Sequence, residues 1–168
     1  EKGAVVAHIS GPLGAPFELA KLDTVVLGGG CYGIAAIYPR ARALKEAGTR
    51  VIAVTEASSH YLLYWENQLK SVSDELHIAT KDNTRGTWGG VQEVYQRLLD
   101  ADVKIDAFIS VGCTFMMRMA CRVTQETGIP NYVALNPIML DGTGMCGACR
   151  VSVNEETKFA CVDGPFFD

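Results

Sequence analysis

Between residues 23 and 135, short apolar runs alternate with longer amphipathic segments, and this alternation constrains the fold more than any other feature of the sequence. The apolar runs that we predict as strands are Thr24–Leu27, Val51–Val54, Glu75–Ala79, Ala107–Val111 and Asn131–Leu135. Strands that alternate with helices at this spacing form a parallel sheet with helices on both faces. The sequence therefore predicts an α/β fold with a five-stranded parallel sheet, whose ligands bind at the carboxyl ends of the strands.

The segments between these runs are predicted as helices, and the first residues of the chain as one further strand. The predicted helices are Ile34–Ala47, His60–Leu69, Gly89–Leu99 and Thr114–Thr127. The additional strand is predicted for Ala4–Ile9, before the loop Gly11–Pro16. Residues 1–20 are too few for a domain of their own. We therefore expect them to be the last strand and exit of an upstream domain, and the chain to be part of a longer protein.

A glycine-rich turn directly follows the first predicted strand and opens a helix. Residues 28–33, Gly-Gly-Gly-Cys-Tyr-Gly, fit the pattern G-x-G-x-x-G in the strand-to-helix context that this pattern requires. Glycines let backbone N–H groups approach a pyrophosphate, and the helix N-terminus adds a partial positive charge. We predict a dinucleotide-binding turn. The alternative is a glycine turn that only packs the helix against the strand.

Two residues at other strand ends are candidates for contact with such a nucleotide. Glu56 follows the second predicted strand, where an acid can accept hydrogen bonds from an adenosine ribose and repel a 2′-phosphate. Because no Arg follows it closely, Glu56 favours NAD(H) over NADP(H); the alternative is an exposed glutamate without a role. Cys113 follows the fourth predicted strand, which makes it a candidate neighbour of a nicotinamide.

Near the C-terminus, three cysteines and an aspartate have the spacing of an iron–sulfur site. The pattern is Asp141-x4-Cys146-x2-Cys149-x11-Cys161. Plant-type [2Fe–2S] sites use C-x4-C-x2-C…C, and the two patterns coincide if the aspartate stands for the first cysteine. Glycines between these residues allow the loop to curl around a cluster. We predict that Asp141, Cys146, Cys149 and Cys161 hold a [2Fe–2S] cluster.

Several alternatives remain open for the cysteines. Structural zinc sites usually contain two C-x2-C or similar pairs, whereas this segment has one pair and a single cysteine. Cysteines can also be inert core residues. Asp141 could be only a turn former before Gly142, with water, Cys31 or Cys121 as the fourth ligand. Otherwise Cys31 and Cys121 are predicted to be buried thiols.

Composition excludes some classes of function. The net charge is −4 and the pI is about 5.4, which argues against nucleic-acid binding. No apolar stretch approaches the roughly 18 residues of a membrane helix, so no membrane span is predicted. The six cysteines lie in predicted core elements or at ligand spacing, rather than in a disulfide pattern. A reducing, cytoplasmic setting is therefore expected.

A nucleotide site together with a cluster implies a third cofactor. NAD(P)H gives up two electrons as a hydride, a [2Fe–2S] cluster takes one electron at a time, and a flavin usually converts between them. The chain contains no obvious segment that could enclose FAD. We expect FAD on a missing N-terminal domain, of which residues 1–20 are the trailing edge, or on another subunit. Residues 21–136 are then the NAD(P)-binding domain, and residues 137–168 the [2Fe–2S] segment.

Several motifs resemble a known family of reductase subunits. They are Gly11–Gly14, Gly28–Ala35, Tyr38–Ala41, Asp82–Gly89, Leu135–Met139, Asp141–Val151 and Cys161–Pro165. These motifs are similar to those of ferredoxin–NADP reductase-like iron–sulfur flavoprotein subunits. This family includes the electron-transfer subunit of dihydroorotate dehydrogenase and the small subunit of NADH-dependent ferredoxin:NADP oxidoreductase, also called the sulfide dehydrogenase type. The aspartate in the first position of the cluster motif is similar to the latter group.

The resemblance implies an N-terminal FAD barrel and a catalytic partner subunit within a hetero-oligomer. It also implies that the stretch around Cys113 lies near the nicotinamide. The chain departs from the family there, because Val111 stands where a Cys is usual and Cys113 where a Pro is usual. No catalytic residue is assigned. The predicted nucleotide-contacting residues are Gly28, Gly29, Gly30, Gly33, Ile34, Glu56, Gly112, Cys113 and Thr114.

The function predicted from the sequence is that of an electron-transfer subunit of an oxidoreductase. It would move electrons between NAD(P)H, a flavin and a [2Fe–2S] cluster, to or from the partner subunit. The contrasting hypothesis is a non-catalytic, regulatory module that binds a nucleotide and zinc.

Overall fold

The computed structural model describes residues 3–17 and 22–168. The described residues form two compact units. The larger unit comprises residues 22–134 with 166–168, and the smaller comprises residues 3–17 with 135–165. All helices of the described residues belong to the larger unit, whereas the smaller unit consists of loops and one hairpin.

The strands of the described residues form one seven-stranded sheet and one two-stranded hairpin. Their bounds are Thr24–Gly30 (β1), Arg50–Ala57 (β2), Glu75–Thr80 (β3), Thr87–Trp88 (β4), Ala107–Val111 (β5), Asn131–Ala134 (β6), Arg150–Val153 (β7), Glu156–Phe159 (β8) and Phe166–Phe167 (β9). The large sheet has the order β4-β3-β2-β1-β5-β6-β9. All neighbours in it pair in parallel except β6 and β9. The predicted α/β fold is confirmed, and the five predicted strands are β1, β2, β3, β5 and β6.

Five helices connect the strands of the larger unit. They are Gly33–Ala36 (α1), Tyr38–Glu46 (α2), Glu66–Ser71 (α3), Val91–Asp100 (α4) and Thr114–Thr124 (α5), and a 3₁₀ turn spans His60–Leu62. Proline in the first turn of α2 is pre-organised for a helix, and Gly48 follows the end of α2 with a φ of +88°. No helix formed by residues 3–17 and 22–168 has the length and apolar character needed to cross a membrane.

The core of the larger unit lies on both faces of the sheet. Every residue of β1 is buried, as expected for a central parallel strand that is covered by helices on each side. Tyr95 of α4 and Phe108 of β5 are fully buried, and their ring centroids lie 4.5 Å apart. The same strands carry their carboxyl ends to one edge of the sheet, where Gly30 pairs with Glu56, Glu56 with Ala79, and Gly29 with Val111. The predicted nucleotide-contacting residues are at this edge.

The smaller unit is organised by the β7–β8 hairpin. Val153 pairs with Glu156, and the two residues between them, Asn154 and Glu155, have φ values of 50° and 66°. Two consecutive positive φ values are typical of the type I′ turn that suits a two-residue hairpin loop. The N–H of Ala15 donates to the Gly164 carbonyl at 2.8 Å, which attaches the N-terminal segment to the same unit.

Two local predictions are wrong. Ala4–Ile9 is not a strand: it pairs with none of the strands of the described residues, and Val5 is 91% exposed. A strand needs a neighbour for its backbone groups, and an apolar run alone does not provide one. The predicted helix His60–Leu69 is interrupted, because Trp65 has a φ of 58°. A left-handed residue cannot continue a right-handed helix, so only the 3₁₀ turn and α3 form.

Smaller differences concern the ends of elements. The predicted helix Ile34–Ala47 is divided into α1 and α2 at Ile37, which keeps helical dihedral angles. Two short strands, β4 and β9, were not predicted, because two residues are too few to show a periodicity in sequence.

Candidate functional site

The glycine turn at the end of β1 is held by hydrogen bonds to two neighbouring segments. Cys31 has a φ of 52° and lies exposed at the tip of the turn, so the prediction that it is a buried thiol is wrong. The Tyr64 hydroxyl donates to the Cys31 carbonyl at 2.8 Å. The Tyr32 hydroxyl donates to the Gly112 carbonyl, also at 2.8 Å. These bonds fix the turn beside the carboxyl end of β5.

The glycines of the turn are required by close packing. A Cβ on Gly33 would overlap the Val111 carbonyl oxygen, which is backbone and cannot rotate away. A Cβ on Gly30 would lie 2.9 Å from Cγ of Glu56 and 2.7 Å from Sδ of Met116. Close packing of the helix against the strand, the alternative to nucleotide binding, therefore explains part of the glycine pattern at residues 28–33. Room for a pyrophosphate at the same turn stays a prediction.

A cavity of about 320 Å³ adjoins the glycine turn. It is lined by Cys31, Tyr32, Ile34, Glu56, Ala57, Ser58, Leu62 and Tyr64. Of the predicted nucleotide-contacting residues, only Ile34 and Glu56 line this cavity. Its aromatic and aliphatic walls with a few polar groups have the character of small-molecule sites. The residues predicted from the sequence do not include Tyr32 and Tyr64. The aromatic run at residues 60–65 is a signal for Tyr64, and Tyr32 lies within the glycine motif itself.

Glu56 is buried near the end of β2, and its expected contact with a ribose stays a prediction. It is only 4% exposed, so it is not an exposed glutamate without a role. Its Oε2 accepts the N–H of Val91, the first residue of α4, at 2.8 Å, and its Oε1 lies 3.8 Å from Nζ of Lys81. Burial raises the pKa of Glu56, although the Val91 N–H and then Lys81 oppose this shift. The carboxylate is therefore already engaged within the protein.

The segment after β5 begins helix α5. Gly112 is buried, whereas Cys113 and Thr114 are exposed at the helix N-terminus. A Cβ on Gly112 would lie 2.7 Å from Sδ of Met116 and 3.1 Å from the Gly30 carbonyl oxygen, so the Met116 side chain would have to shift. The structure thus places Cys113 at the same sheet edge as the glycine turn. Its proximity to a nicotinamide stays a prediction.

In the smaller unit, Asp141 is bound to the loop that carries Cys146. The Asp141 carboxylate accepts the N–H of Thr143 at 2.8 Å and the N–H of Cys146 at 2.7 Å. The hydrogen bond from Thr143 is the main reason that the pKa of Asp141 is lowered, and the bond from Cys146 adds to it. Asp141 is exposed and ionised, and its carboxylate lies against the loop carrying Cys146.

Cys149 and Cys161 form a second, buried pair. Their Sγ atoms lie 3.1 Å apart, and the N–H of Ala160 donates to the Cys149 carbonyl at 3.1 Å. The backbone N–H of Cys161 is the main cause that lowers the pKa of Cys149, whereas the neighbouring thiol raises the pKa of Cys161. One member of the pair is therefore the more readily ionised, as a soft thiolate ligand must be.

The four predicted metal ligands thus lie in two pairs, Asp141 with the Cys146 loop and Cys149 with Cys161. Within residues 3–17 and 22–168, no three His, Cys, Asp or Glu side chains converge closely enough to form a ready-made metal site. The glycines of the loop, Gly142, Gly144 and Gly147, have φ values of 76°, 84° and 66°. One carboxylate and three cysteine sulfurs are donors of the kind that hold an iron–sulfur cluster.

The C-terminal segment also matches a known domain family. Residues 136–168 match the iron–sulfur cluster binding domain of dihydroorotate dehydrogenase B. The Thermotoga maritima homologue of the dihydroorotate dehydrogenase B (NAD(+)) electron transfer subunit is 44% identical over 99% of this chain and 58% of its own length. This chain is a homologue of those electron-transfer subunits. The resemblance predicted from its motifs is confirmed.

Further comparisons agree with this relationship. The probable electron transfer subunit of dihydroorotate dehydrogenase B from Methanopyrus kandleri is 29% identical over 99% of the chain and 62% of its own length. The solved structure of NADH-dependent reduced ferredoxin-NADP oxidoreductase, described for flavin-based electron bifurcation, has a TM-score of 0.87 at 42% identity. The matched region covers 98% of this chain and 59% of the chain in that structure. The chain thus spans about three fifths of the length of these relatives.

Proposed function

We propose that this chain is the nucleotide- and cluster-carrying part of an electron-transfer subunit of an oxidoreductase. Its carboxyl sheet edge binds NAD(P)H, and its C-terminal loop holds a [2Fe–2S] cluster that exchanges electrons with a catalytic partner subunit. FAD is held outside residues 3–17 and 22–168, in the part of the homologous subunits that this chain does not span. The observation that carries the proposal is the match of residues 136–168 to an iron–sulfur domain, together with the two donor pairs of that segment.

The protein's own residues have distinct tasks in this function. Asp141, Cys146, Cys149 and Cys161 would hold the cluster through one carboxylate and three thiolates. When bound, a nicotinamide dinucleotide supplies two electrons, a flavin separates them, and a cluster accepts one at a time. Because Cys149 and Cys161 are buried while Cys146 is exposed, water is kept from one pair and has access to the other.

At the nucleotide site, backbone groups have the main task. The glycine turn would present N–H groups at the end of β1, and Tyr32 and Tyr64 hold the turn in place by their hydroxyl hydrogen bonds. Such pre-organised N–H groups favour the negative charge of a pyrophosphate. Gly112, Cys113 and Thr114 would contact the nicotinamide end, because α5 begins beside the turn.

The zinc-module hypothesis is less well supported. The matched domain family is described as binding an iron–sulfur cluster, and the segment has one C-x2-C pair and a single cysteine, whereas structural zinc sites usually contain two such pairs. The two hypotheses also differ in chemistry, because a regulatory module would bind its nucleotide without oxidising it, whereas an electron-transfer subunit takes part in oxidising it.

The proposal is tested by anaerobic reduction of the iron-reconstituted chain. NADH or NADPH should bleach the visible absorption of the cluster when FAD and the flavin-binding part of a homologous subunit are added, whereas either nucleotide without the flavin should leave it unchanged. Dithionite serves as the positive control for a reducible cluster, and flavin with nucleotide alone as the blank. Bleaching by dithionite but not by nucleotide plus flavin would contradict the proposal.

A further inference from the structure

A short aromatic segment adjoins the glycine turn at the carboxyl edge of the sheet. It comprises residues His60–Trp65, which we call the strap, and it ends immediately before α3. The N–H of His60 donates to Oγ1 of Thr84 at 3.0 Å. The ring of Trp65 meets that of Tyr38 edge-on, with the ring centroids 5.6 Å apart. Both ends of the strap are therefore attached to other elements of the larger unit.

Between these two attachments, Tyr64 connects the strap with the glycine turn. Its hydroxyl donates to the Cys31 carbonyl at 2.8 Å, and Tyr64 lines the same cavity as Cys31 and Leu62. The Cys31 carbonyl also accepts the N–H of Ile34, at the longer distance of 3.4 Å. The Tyr64 hydroxyl therefore makes the shorter of the two hydrogen bonds that orient this carbonyl.

The backbone is left-handed on both sides of this hydrogen bond. Cys31 has a φ of 52°, and Trp65, which follows Tyr64, has a φ of 58°. Residues other than glycine rarely adopt such angles. They persist where surrounding contacts hold them, and they occur frequently at ligand clamps. The bond between Tyr64 and Cys31 thus joins two backbone positions that need contacts of this kind.

The orientation of the Cys31 carbonyl decides which backbone group this peptide directs away from the strap. A trans peptide is planar, so the C=O of Cys31 and the N–H of Tyr32 point in opposite directions. While the Tyr64 hydroxyl holds the carbonyl on the strap side, the N–H of the same peptide faces the other way. A carbonyl released from the strap could turn its partial negative charge towards a pyrophosphate and repel it.

We propose that Tyr64 is a positioning residue of the nucleotide site, and that its hydroxyl holds the Cys31–Tyr32 peptide in the orientation that admits a pyrophosphate. The hydroxyl acts through the backbone of the turn and needs no contact of its own with the ligand. It therefore contributes to binding of the phosphates and not to binding of the adenosine. The proposal deepens the proposed function and rests on it, because it requires that a dinucleotide binds at this turn.

Equilibrium binding to the full chain separates the role of the Tyr64 hydroxyl from that of its ring. The probes are NADH, adenosine 5′-diphosphate and adenosine, and each is titrated into the protein and followed by NMR. Tyr64→Phe removes the hydroxyl and keeps the ring in the cavity wall. Because one neutral hydrogen bond corresponds to a change of about fivefold in affinity, the variant should bind NADH and adenosine 5′-diphosphate about fivefold more weakly than the wild type. Its affinity for adenosine should stay within about twofold.

Tyr61→Phe is the matched control, with the same change in the same strap. Tyr61 is 74% exposed and does not line the cavity, so its variant should bind all three probes as the wild type does. A Tyr64→Phe variant that binds adenosine 5′-diphosphate as tightly as Tyr61→Phe would overturn this proposal alone, and so would an equal loss of affinity for adenosine. A wild-type chain that binds neither NADH nor adenosine 5′-diphosphate would overturn the proposed function as well.

Discussion

The Sγ atoms of Cys149 and Cys161 lie 3.1 Å apart although the residues are twelve positions apart in sequence. The β7–β8 hairpin brings them together, because Cys149 directly precedes β7 and Cys161 follows β8 by two residues. Arg150 pairs with Phe159, and the N–H of Ala160 donates to the Cys149 carbonyl, which extends the ladder towards the two thiols. The x11 spacing between Cys149 and Cys161 is therefore set by a hairpin with a two-residue turn.

Cys149→Ser or Cys161→Ser should abolish retention of iron. Each change removes a buried soft ligand, and the remaining hydroxyl is not ionised at neutral pH. Iron affinity should fall by more than the roughly 10- to 100-fold that loss of an outer-shell partner causes. Iron per chain after anaerobic reconstitution and desalting measures the effect. Cys121→Ser, at a half-buried thiol outside the segment, should retain the wild-type iron content.

Asp141→Asn should also lower the iron content, while Asp141→Cys should retain it. Asparagine keeps an oxygen for only one of the two N–H donors, Thr143 or Cys146, and it lacks the anionic charge that a cluster ligand needs. Asp82→Asn is a matched control, because Asp82 accepts the N–H of the residue two positions later in the same way. Equal iron in the Asp141→Asn and Asp82→Asn variants, compared after exposure to a chelator, would rule out Asp141 as a ligand.

Gly33→Ala should destabilise the larger unit strongly. The added Cβ would overlap the carbonyl oxygen of Val111, so β5 or α1 must move, at a cost of about 3 kcal/mol. At Gly48 a Cβ meets nothing within 4 Å, and alanine there is opposed only by the φ of +88°, at roughly 1–2 kcal/mol. Thermal unfolding of the two variants measures both costs. A Gly33→Ala variant whose unfolding temperature is no lower than that of Gly48→Ala would contradict the close contact between residue 33 and the Val111 carbonyl oxygen.

Glu56 should make stability depend on pH. Because burial raises its folded-state pKa above the ordinary value of about 4.3, folding favours the protonated carboxyl. Protonation of Glu56 therefore stabilises the folded state. This contribution is complete below the unfolded-state pKa of Glu56 and is lost as pH rises through its folded-state pKa. Glu56→Gln should be more stable than wild type at neutral pH, and the difference should diminish as pH falls towards 4.3.

The control for this experiment is Glu46→Gln. Glu46 is exposed and makes only a 3.7 Å pair with Arg42 one helical turn away, so its replacement should change stability by less than about 0.5 kcal/mol. Denaturant unfolding at a series of pH values measures both variants. A Glu56→Gln variant that follows the wild-type pH profile would show that the buried carboxylate has no shifted pKa.

Much of the fold follows from local sequence patterns. The five predicted strands were recognisable because a central parallel strand such as β1 is apolar at nearly every position. The helix predicted for His60–Leu69 failed because periodicity cannot reveal the left-handed conformation of Trp65. That conformation accompanies an edge-on contact of the Trp65 ring with Tyr38, 5.6 Å away, which lies in a different helix.

The two sites were predictable to different degrees. The ligand spacing around Cys146 is a local property, and the sequence states it directly. The contacts of Glu56 are not local: its partner Val91 is 35 positions away, and only the folded sheet places the two together. The hydrogen bond from Tyr64 to Cys31 likewise joins residues that are 33 positions apart. An acid at the end of β2 was therefore recognised from sequence, but the partners that engage it were not.

The central claim, that the C-terminal segment of this chain holds an iron–sulfur cluster, is tested most directly by elemental analysis of anaerobically reconstituted protein. A [2Fe–2S] centre predicts about two iron atoms and two acid-labile sulfides per chain. Protein that contains neither iron nor labile sulfide after reconstitution, or that binds stoichiometric zinc instead, would contradict the account.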